Sequence, residues 1–279
     1  MPQAAIQSSD GGLQIEYEQH GSNTGEWIVL IRGLGTQMIE WSPVFIQALI
    51  DAGLRVLTFD NRDAGLSEKM KADYDVTDMA SDVIGLMDTL HIPSAHIFGV
   101  SMGRHDCPTR GPRYPERVDT LFSVMSSSGA EGLPKASPEV WEWMSIDADT
   151  REDYIRLDAQ SRVVFGSPGY PESEAHRVKL ATQAYDRCFF PEGVARQMRA
   201  ITANRNRVAK LQAISVPTLV IHGADDALLP PAHGADTARH IAGAGYELVP
   251  GMGHNIPDAL APVIAERVID FVGESKVPG

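Results

Sequence analysis

Ala95-His96-Ile97-Phe98-Gly99-Val100-Ser101-Met102-Gly103 decides the fold of this chain. The run AHIFGV over 95–100 has the length and near-continuous apolar character of a strand buried on both faces, as in a parallel sheet. Gly99-Val100-Ser101-Met102-Gly103 then gives a G-x-S-x-G pattern at the strand's end. A serine so placed occupies a tight strand-to-helix turn. Glycines two residues to either side let neighbouring backbone pass close, and Oγ is left exposed above the sheet. The Met102 N–H lies at the start of the following helix, pointing where an oxyanion forms. The bare pattern is weakly specific, and its position after a buried strand is what strengthens it.

Runs of the same kind recur on both sides: Trp27–Ile31 (WIVLI), Leu54–Phe59 (LRVLTF), Val118–Met125 (VDTLFSVM), Pro217–His222 (PTLVIH) and Tyr246–Val249 (YELV). Between the second strand and AHIFGV, Asp75 can cap a helix carrying Val76, Met79, Val83, Leu86, Met87 and Leu90 at helical spacing. Strand, helix, strand is the βαβ unit, and its repetition predicts an α/β domain with a mostly parallel central sheet flanked by helices. Leu13–Tyr17 alternates and is expected as an antiparallel strand at the sheet edge.

From about Gly132 to Gln212 the strand rhythm stops. Helical stretches at Glu139–Met144, Arg151–Arg162 and Pro191–Asn204 alternate with a break at Gly166–Pro171, and strands resume at Pro217. The expected organisation is a core of residues 1–131 and 213–279 interrupted by a helical cap, or lid, over 132–212.

The 279 residues suffice for one large core. A net charge of −13, from 24 Lys plus Arg and 37 Asp plus Glu, argues against nucleic acid and against anionic membranes as partners, since both are bound through Lys and Arg. Two cysteines, Cys107 and Cys188, exclude a disulfide framework. The N-terminus shows no basic region followed by an apolar stretch, and no window has the apolar length of a membrane helix. A cytoplasmic enzyme, monomeric or a small homo-oligomer, is the default expectation.

A serine alone is a poor nucleophile and needs a base and an orienting acid, which in this kind of fold follow in the order Ser, Asp, His. The strand at 217–222 runs into Gly223-Ala224-Asp225-Asp226, and the strand at 246–249 into Pro250-Gly251-Met252-Gly253-His254. Asp226 and His254 thus sit at strand C-terminal ends, the edge where ligands bind in open α/β sheets. Asp225 competes with Asp226 for the acid. Successive residues leaving a strand point opposite ways, and Asp226 is preferred with Asp225 solvated. The catalytic set expected is Ser101, Asp226 and His254. No two of the other histidines make a convincing metal pair, and consecutive His105, Asp106 and Cys107 would diverge on a helix. No metal and no organic cofactor are expected.

At this point the chain resembles the α/β-hydrolase superfamily over roughly 200 residues of both core halves. Gly33-Leu34-Gly35 after WIVLIR resembles the oxyanion loop, Asp60-Asn61-Arg62-Asp63-Ala64-Gly65-Leu66-Ser67 the D-x-R-G-x-G-x-S turn, and Tyr114-Pro115-Glu116-Arg117-Val118 the Y-P-E-R-V lead into the next strand. The resemblance implies an α/β-hydrolase fold and an oxyanion hole of the Leu34 and Met102 amides. Gly33-Leu34-Gly35-Thr36-Gln37 with Asp60-Asn61-Arg62-Asp63 is most similar to a bacterial esterase subgroup that includes the aclacinomycin methylesterases, which implies hydrolysis of a small-molecule carboxylic ester. Gly33, with Met38 and Trp41 near the oxyanion loop and Trp141, Trp143, Met144, Phe165, Phe189 and Phe190 from the insert, is expected to form an apolar pocket. Taken singly, each aromatic is more often ordinary packing.

Two departures stand out. Arg32 occupies a position where the superfamily commonly has His, and is expected to pair with Asp60 or Glu40 rather than bind substrate. Residues 104–112, Arg-His-Asp-Cys-Pro-Thr-Arg-Gly-Pro, replace a helix of small apolar residues. Pro108 inside that helix costs about 3 kcal/mol, and the charges are costly unless paired. Arg-His-Asp-Cys-Pro can be encoded by CGG-CAT-GAT-TGC-CC, and the frame one base on reads Gly-Met-Ile-Ala, the pattern expected of two compensating frameshifts spanning about 104–112.

Two other reactions use the same triad: a cofactor-free perhydrolase or haloperoxidase-like activity, and carbon–carbon bond hydrolysis of diketones. A non-catalytic ligand-binding protein on the same scaffold is the alternative from another class.

Overall fold

A computed structural model of the chain describes residues 2–104, 116–146 and 148–275. Its strands are β1 (Gln3–Ser8), β2 (Gly11–His20), β3 (Trp27–Ile31), β4 (Arg55–Phe59), β5 (Ala95–Val100), β6 (Val118–Val124), β7 (Thr218–Gly223) and β8 (Gly245–Val249). They form one sheet in the order β1-β2-β4-β3-β5-β6-β7-β8. The pairs β4–β3, β3–β5, β5–β6, β6–β7 and β7–β8 are parallel, and β2 pairs antiparallel with both β1 and β4. Outside the β6–β7 connection lie helices α1 (Pro43–Asp51), α2 (Val76–Thr89), α8 (Ala232–Arg239) and α9 (Ala261–Glu274), and the helices between β6 and β7, called the cap helices below, are α3 (Pro138–Met144), α4 (Arg151–Val164), α5 (Glu174–Arg187), α6 (Pro191–Ala203) and α7 (Val208–Leu211).

β3, β5 and β7 are buried along their whole length and mostly apolar because both faces of the sheet are covered. Side chains alternate, so Val29, Ile31, Ile97 and Leu121 pack with Val83, Leu86 and Met87 of α2. Ile28, Leu30, Phe98 and Phe122 pack on the other face with Phe45 of α1 and Ile264 and Val268 of α9. Asp75 caps α2 by accepting the Thr77 and Asp78 N–H groups, and Asp78 returns a bond to the Asp75 N–H.

Leu13–Tyr17, expected at the sheet edge, lies instead within β2, one strand in. β1 takes the edge although its sequence, QAAIQS, buries only Ala4 and Ile6. It is held by tertiary packing on α2. A Cβ at Gly85 would stand 2.3 Å from the Gln7 carbonyl oxygen, so that glycine admits the strand.

Among the described residues, 132–212 contain helices and no strand. α5 has no counterpart in the sequence reading, because its buried stripe is only Ala181 and Ala184 within a charged run. After β5 the chain makes a 3-10 turn, Ser101–Arg104. The expected frameshift continues onto residues 105–112, which lie outside the described residues, as do Cys107, Tyr114 and Pro115. Among the described residues no helix is long and apolar enough to cross a membrane.

Candidate active site

Ser101 has φ 52°, a left-handed conformation that a non-glycine residue adopts only where its surroundings enforce it. Two close approaches enforce it here. A Cβ at Gly103 would stand 2.4 Å from the Ile31 carbonyl oxygen, and one at Gly33 would stand 3.3 Å from Ser101 Cβ. The turn is thereby pressed against the end of β3.

The loops after β7 and β8 bring two more groups to the serine. His254 Nε2 lies 3.1 Å from Ser101 Oγ, and His254 Nδ1 lies 2.7 Å from Asp226 Oδ2. A carboxylate only accepts, so Nδ1 carries the hydrogen and Nε2 is left to accept the serine proton. Asp226 is 3% exposed, and its Oδ1 accepts the Leu228 and Leu229 N–H groups at 3.0 and 2.8 Å. Asp225 is exposed and instead accepts the Gly251 N–H at 2.8 Å.

Two supports of this arrangement have no motif in the sequence. His222, fully buried, donates its Nε2–H to the Leu229 carbonyl at 2.8 Å and lies 3.6 Å from Asp226 Oδ2. Burial holds its pKa below the usual histidine range, so it stays a neutral brace for the Asp226 turn. The second support is the break at 166–171. The Phe165 carbonyl accepts the His254 N–H at 2.7 Å, Ser167 Oγ accepts the Gly253 N–H at 3.0 Å, and the Gly169 N–H reaches the Gly251 carbonyl at 2.9 Å. Residues 165–169 thus brace the His254 loop through two backbone bonds and the Ser167 hydroxyl.

Met102 is second in the 3-10 turn, where an N–H has no partner within the turn. Leu34 is half-buried beside the Met102 side chain. The Thr36 N–H and Oγ both bond the Gly33 carbonyl, at 3.4 and 3.0 Å. That carbonyl and the Leu34 N–H share one trans peptide plane, so holding the carbonyl on Thr36 points the N–H the other way.

The expected apolar pocket is not assembled as one cluster. Trp41, 5% exposed, packs in the core between Phe45 and Phe98, with ring centroids 6.1 and 5.9 Å away. Met38 is also buried and gives its N–H to Asp60 at 2.8 Å. On the cap, Trp141 is 52% exposed, Met144 is exposed and Trp143 half-buried. Phe189 is exposed and stacks on Tyr185 at 4.7 Å, while Phe190 lies 5.4 Å from the Arg196 guanidinium. The half-buried Phe165 reaches the site through its carbonyl. Aromatic content alone carries no direction.

Cap and core are clamped by ion pairs. Arg187 meets Asp60 at 2.7 Å, Arg196 meets Asp63 at 2.8 Å and Arg162 meets Glu40 at 2.7 Å. Arg32 reaches Glu40 at 3.9 Å and lies 4.8 Å over the Trp41 ring, while Asp60 is taken by Arg187. Asp158 lies 3.6 Å from Arg162 with its Oδ2 enclosed. Burial pushes its carboxyl up to about 6, against the pull of Arg162. Its proton is then kept at pH values where an unfolded aspartate has lost it. The associated stability is full below about pH 4 and is lost as pH rises through 6. D158N is therefore expected to raise the thermal midpoint, relative to the unsubstituted chain, more at pH 8 than at pH 5. A midpoint difference that stays constant over that range would contradict the buried-carboxyl account.

Among the described residues no group of three His, Cys, Asp or Glu side chains is placed to hold a metal ion.

A family model described as the alpha/beta hydrolase fold matches residues 26–258. The chain is 30% identical over 273 residues to the putative carbamate hydrolase RutD of Variovorax paradoxus, covering 96% of this chain and 99% of that one. It is 24% identical over 265 residues to the rhodomycin D methylesterase DnrP of Streptomyces peucetius, covering 86% and 89%. Among solved structures, the enol-lactonase from Burkholderia xenovorans LB400 superposes with a TM-score of 0.78 at 27% identity, over 98% of this chain and 100% of that chain.

Proposed function

This chain belongs to the alpha/beta hydrolase family, and on that premise we propose that it is a serine hydrolase cleaving small-molecule carboxylic esters through an acyl-enzyme at Ser101. The observation that carries this reading is the unbroken series from Ser101 Oγ to His254 Nε2 at 3.1 Å and from His254 Nδ1 to Asp226 Oδ2 at 2.7 Å. Ser101 Oγ attacks the ester carbonyl as its proton passes to His254 Nε2. Asp226 stabilises the imidazolium, and the Leu34 and Met102 N–H groups hold the tetrahedral oxyanion. His254 then gives its proton to the departing alcohol, and a water repeats the sequence on the acyl-enzyme.

Esters, lactones and carbamates all pass through a tetrahedral oxyanion, and the proteins named above act on, or are named for, one or another of these groups. The methylesterase likeness and the oxyanion-loop motif favour the ester. A panel of p-nitrophenyl esters, an enol-lactone, a carbamate, acetate with peroxide, and ring-cleavage dienoates separates the possibilities. Esters are expected to give the highest kcat/KM, with fluorophosphonate labelling at Ser101. Preference for another substrate would replace the ester assignment and keep the serine mechanism, whereas binding without turnover or labelling would remove both.

A further inference from the structure

Helix α6 carries a buried amide directed at the core. Gln197 is 1% exposed, its Oε1 accepts the Gly35 N–H at 2.8 Å, and its Nε2 donates to the Arg62 carbonyl at 2.9 Å. Gly35 directly follows Leu34, one of the two oxyanion donors in the proposed reaction. It has φ 67°, and a Cβ there would stand 3.0 Å from a Val194 methyl of α6. A Cβ at Gly193 would stand 2.5 Å from the Asp63 carbonyl oxygen, and Arg196 grips the Asp63 carboxylate at 2.8 and 3.0 Å. One turn further on, Ala200 and Ile201 pack with Met102 and Leu34. Residues 193, 196, 197 and 200 fall at i, i+3, i+4 and i+7, so a single face of this cap helix seats on the oxyanion loop and on the residue after the nucleophile.

We propose that Gln197 is a positioning residue for the oxyanion hole. Thr36 holds the Gly33–Leu34 peptide plane and Gln197 holds the next one, Leu34–Gly35, so both planes that meet at the Leu34 Cα are tied only while α6 is seated. The donor geometry of the core thereby depends on a cap residue, and loosening this contact lets the Leu34 N–H swing away from the developing charge. Donors of this kind act through preorganisation, so the loss falls on the transition state and spares the ground state. The Arg62 carbonyl, joined to the same amide, sets the side chain's orientation and keeps Oε1 toward Gly35.

This inference rests on the serine-hydrolase reading. Its test compares Q197M, of similar length without hydrogen bonds, Q197N, too short to reach Gly35, and Q197E, which keeps an oxygen for the Gly35 N–H. R199A serves as control, breaking the exposed α6–core pair with Asp73 at 2.6 Å. Steady-state ester hydrolysis, inhibition by a trifluoromethyl ketone that forms a tetrahedral oxyanion on Ser101, and thermal midpoints are measured together. Q197M and Q197N are expected to lower kcat by roughly ten- to a hundredfold, short of the loss for deleting a donor outright, with KM within about twofold. Ketone affinity should weaken in parallel, Q197E, which keeps the acceptor for Gly35 but sets a carboxylate oxygen against the Arg62 carbonyl, should recover part of the loss, and R199A should stay at the unsubstituted kcat. Unchanged kcat and ketone affinity in Q197M and Q197N, whatever their midpoints, overturn the inference alone, as does a loss confined to KM. An unsubstituted chain with neither ester turnover nor Ser101 labelling overturns the serine-hydrolase reading and the inference together.

Discussion

Ester turnover by S101A is expected to fall by about a millionfold, to the residue left by the oxyanion donors and binding alone, and fluorophosphonate labelling is expected to vanish. The size of the effect follows from how the three groups depend on one another. Without Oγ, the proton acceptor at His254 Nε2, 3.1 Å away, has no nucleophile to activate, and the carboxylate of Asp226 has no developing imidazolium to stabilise. For the same reason the double variant S101A/H254A should be no slower than either single one, because groups that act as a unit are non-additive. Ala removes one oxygen from a half-buried side chain and leaves a small cavity, so folding should be little affected. Turnover or labelling that persists in S101A would remove Ser101 from the chemistry.

The second large effect is expected at Asp226. D226N should lower kcat by about 10⁴-fold while leaving KM nearly unchanged. Asp226 Oδ1 is held by two backbone N–H groups, so an asparagine would keep its oxygen there and turn its NH₂ toward His254 Nδ1. A donor facing Nδ1 favours the tautomer with hydrogen on Nε2, which then cannot accept the serine proton. D225N is the matched control. Asp225 is exposed and its carboxylate accepts the Gly251 N–H, so its loss is expected to change kcat by less than about tenfold. Equal losses in the two variants would show that the loop as a whole, rather than the tautomer of His254, carries the effect.

Much of the architecture is legible along the chain because buried parallel strands leave a local signature. WIVLI, AHIFGV and PTLVIH are mostly apolar on both alternating faces, and the sheet is covered on both sides. The three residues of the proposed triad are legible for a related reason: each lies at the C-terminal end of a strand, and short glycine-rich loops mark those ends. β1 and α5 are not legible. Ala4 and Ile6 in one, and Ala181 and Ala184 in the other, bury too little apolar surface to leave a periodic signal. Each element is specified by what packs against it, as the missing Cβ of Gly85 specifies the place of β1.

The sequence by itself determined the class of fold, the helical interruption within it, and which serine, aspartate and histidine stand on loops at one sheet edge, because those features are written in strand patterning and in residues near one another in the chain. Only the tertiary structure decided what holds those loops. The Phe165 carbonyl on the His254 N–H, Ser167 on the Gly253 N–H, His222 beside Asp226, and Gln197 on the Gly35 N–H include contacts between residues as far as 162 positions apart. A hydrogen bond across that separation leaves no pattern in the chain, since either partner is an ordinary polar group until the cap helices fold back onto the sheet. The same reason accounts for the aromatic residues. Their number is visible in the sequence, but whether a ring joins the core, as Trp41 does, or stands in solvent, as Trp141 does, is set by the orientation of the element that carries it.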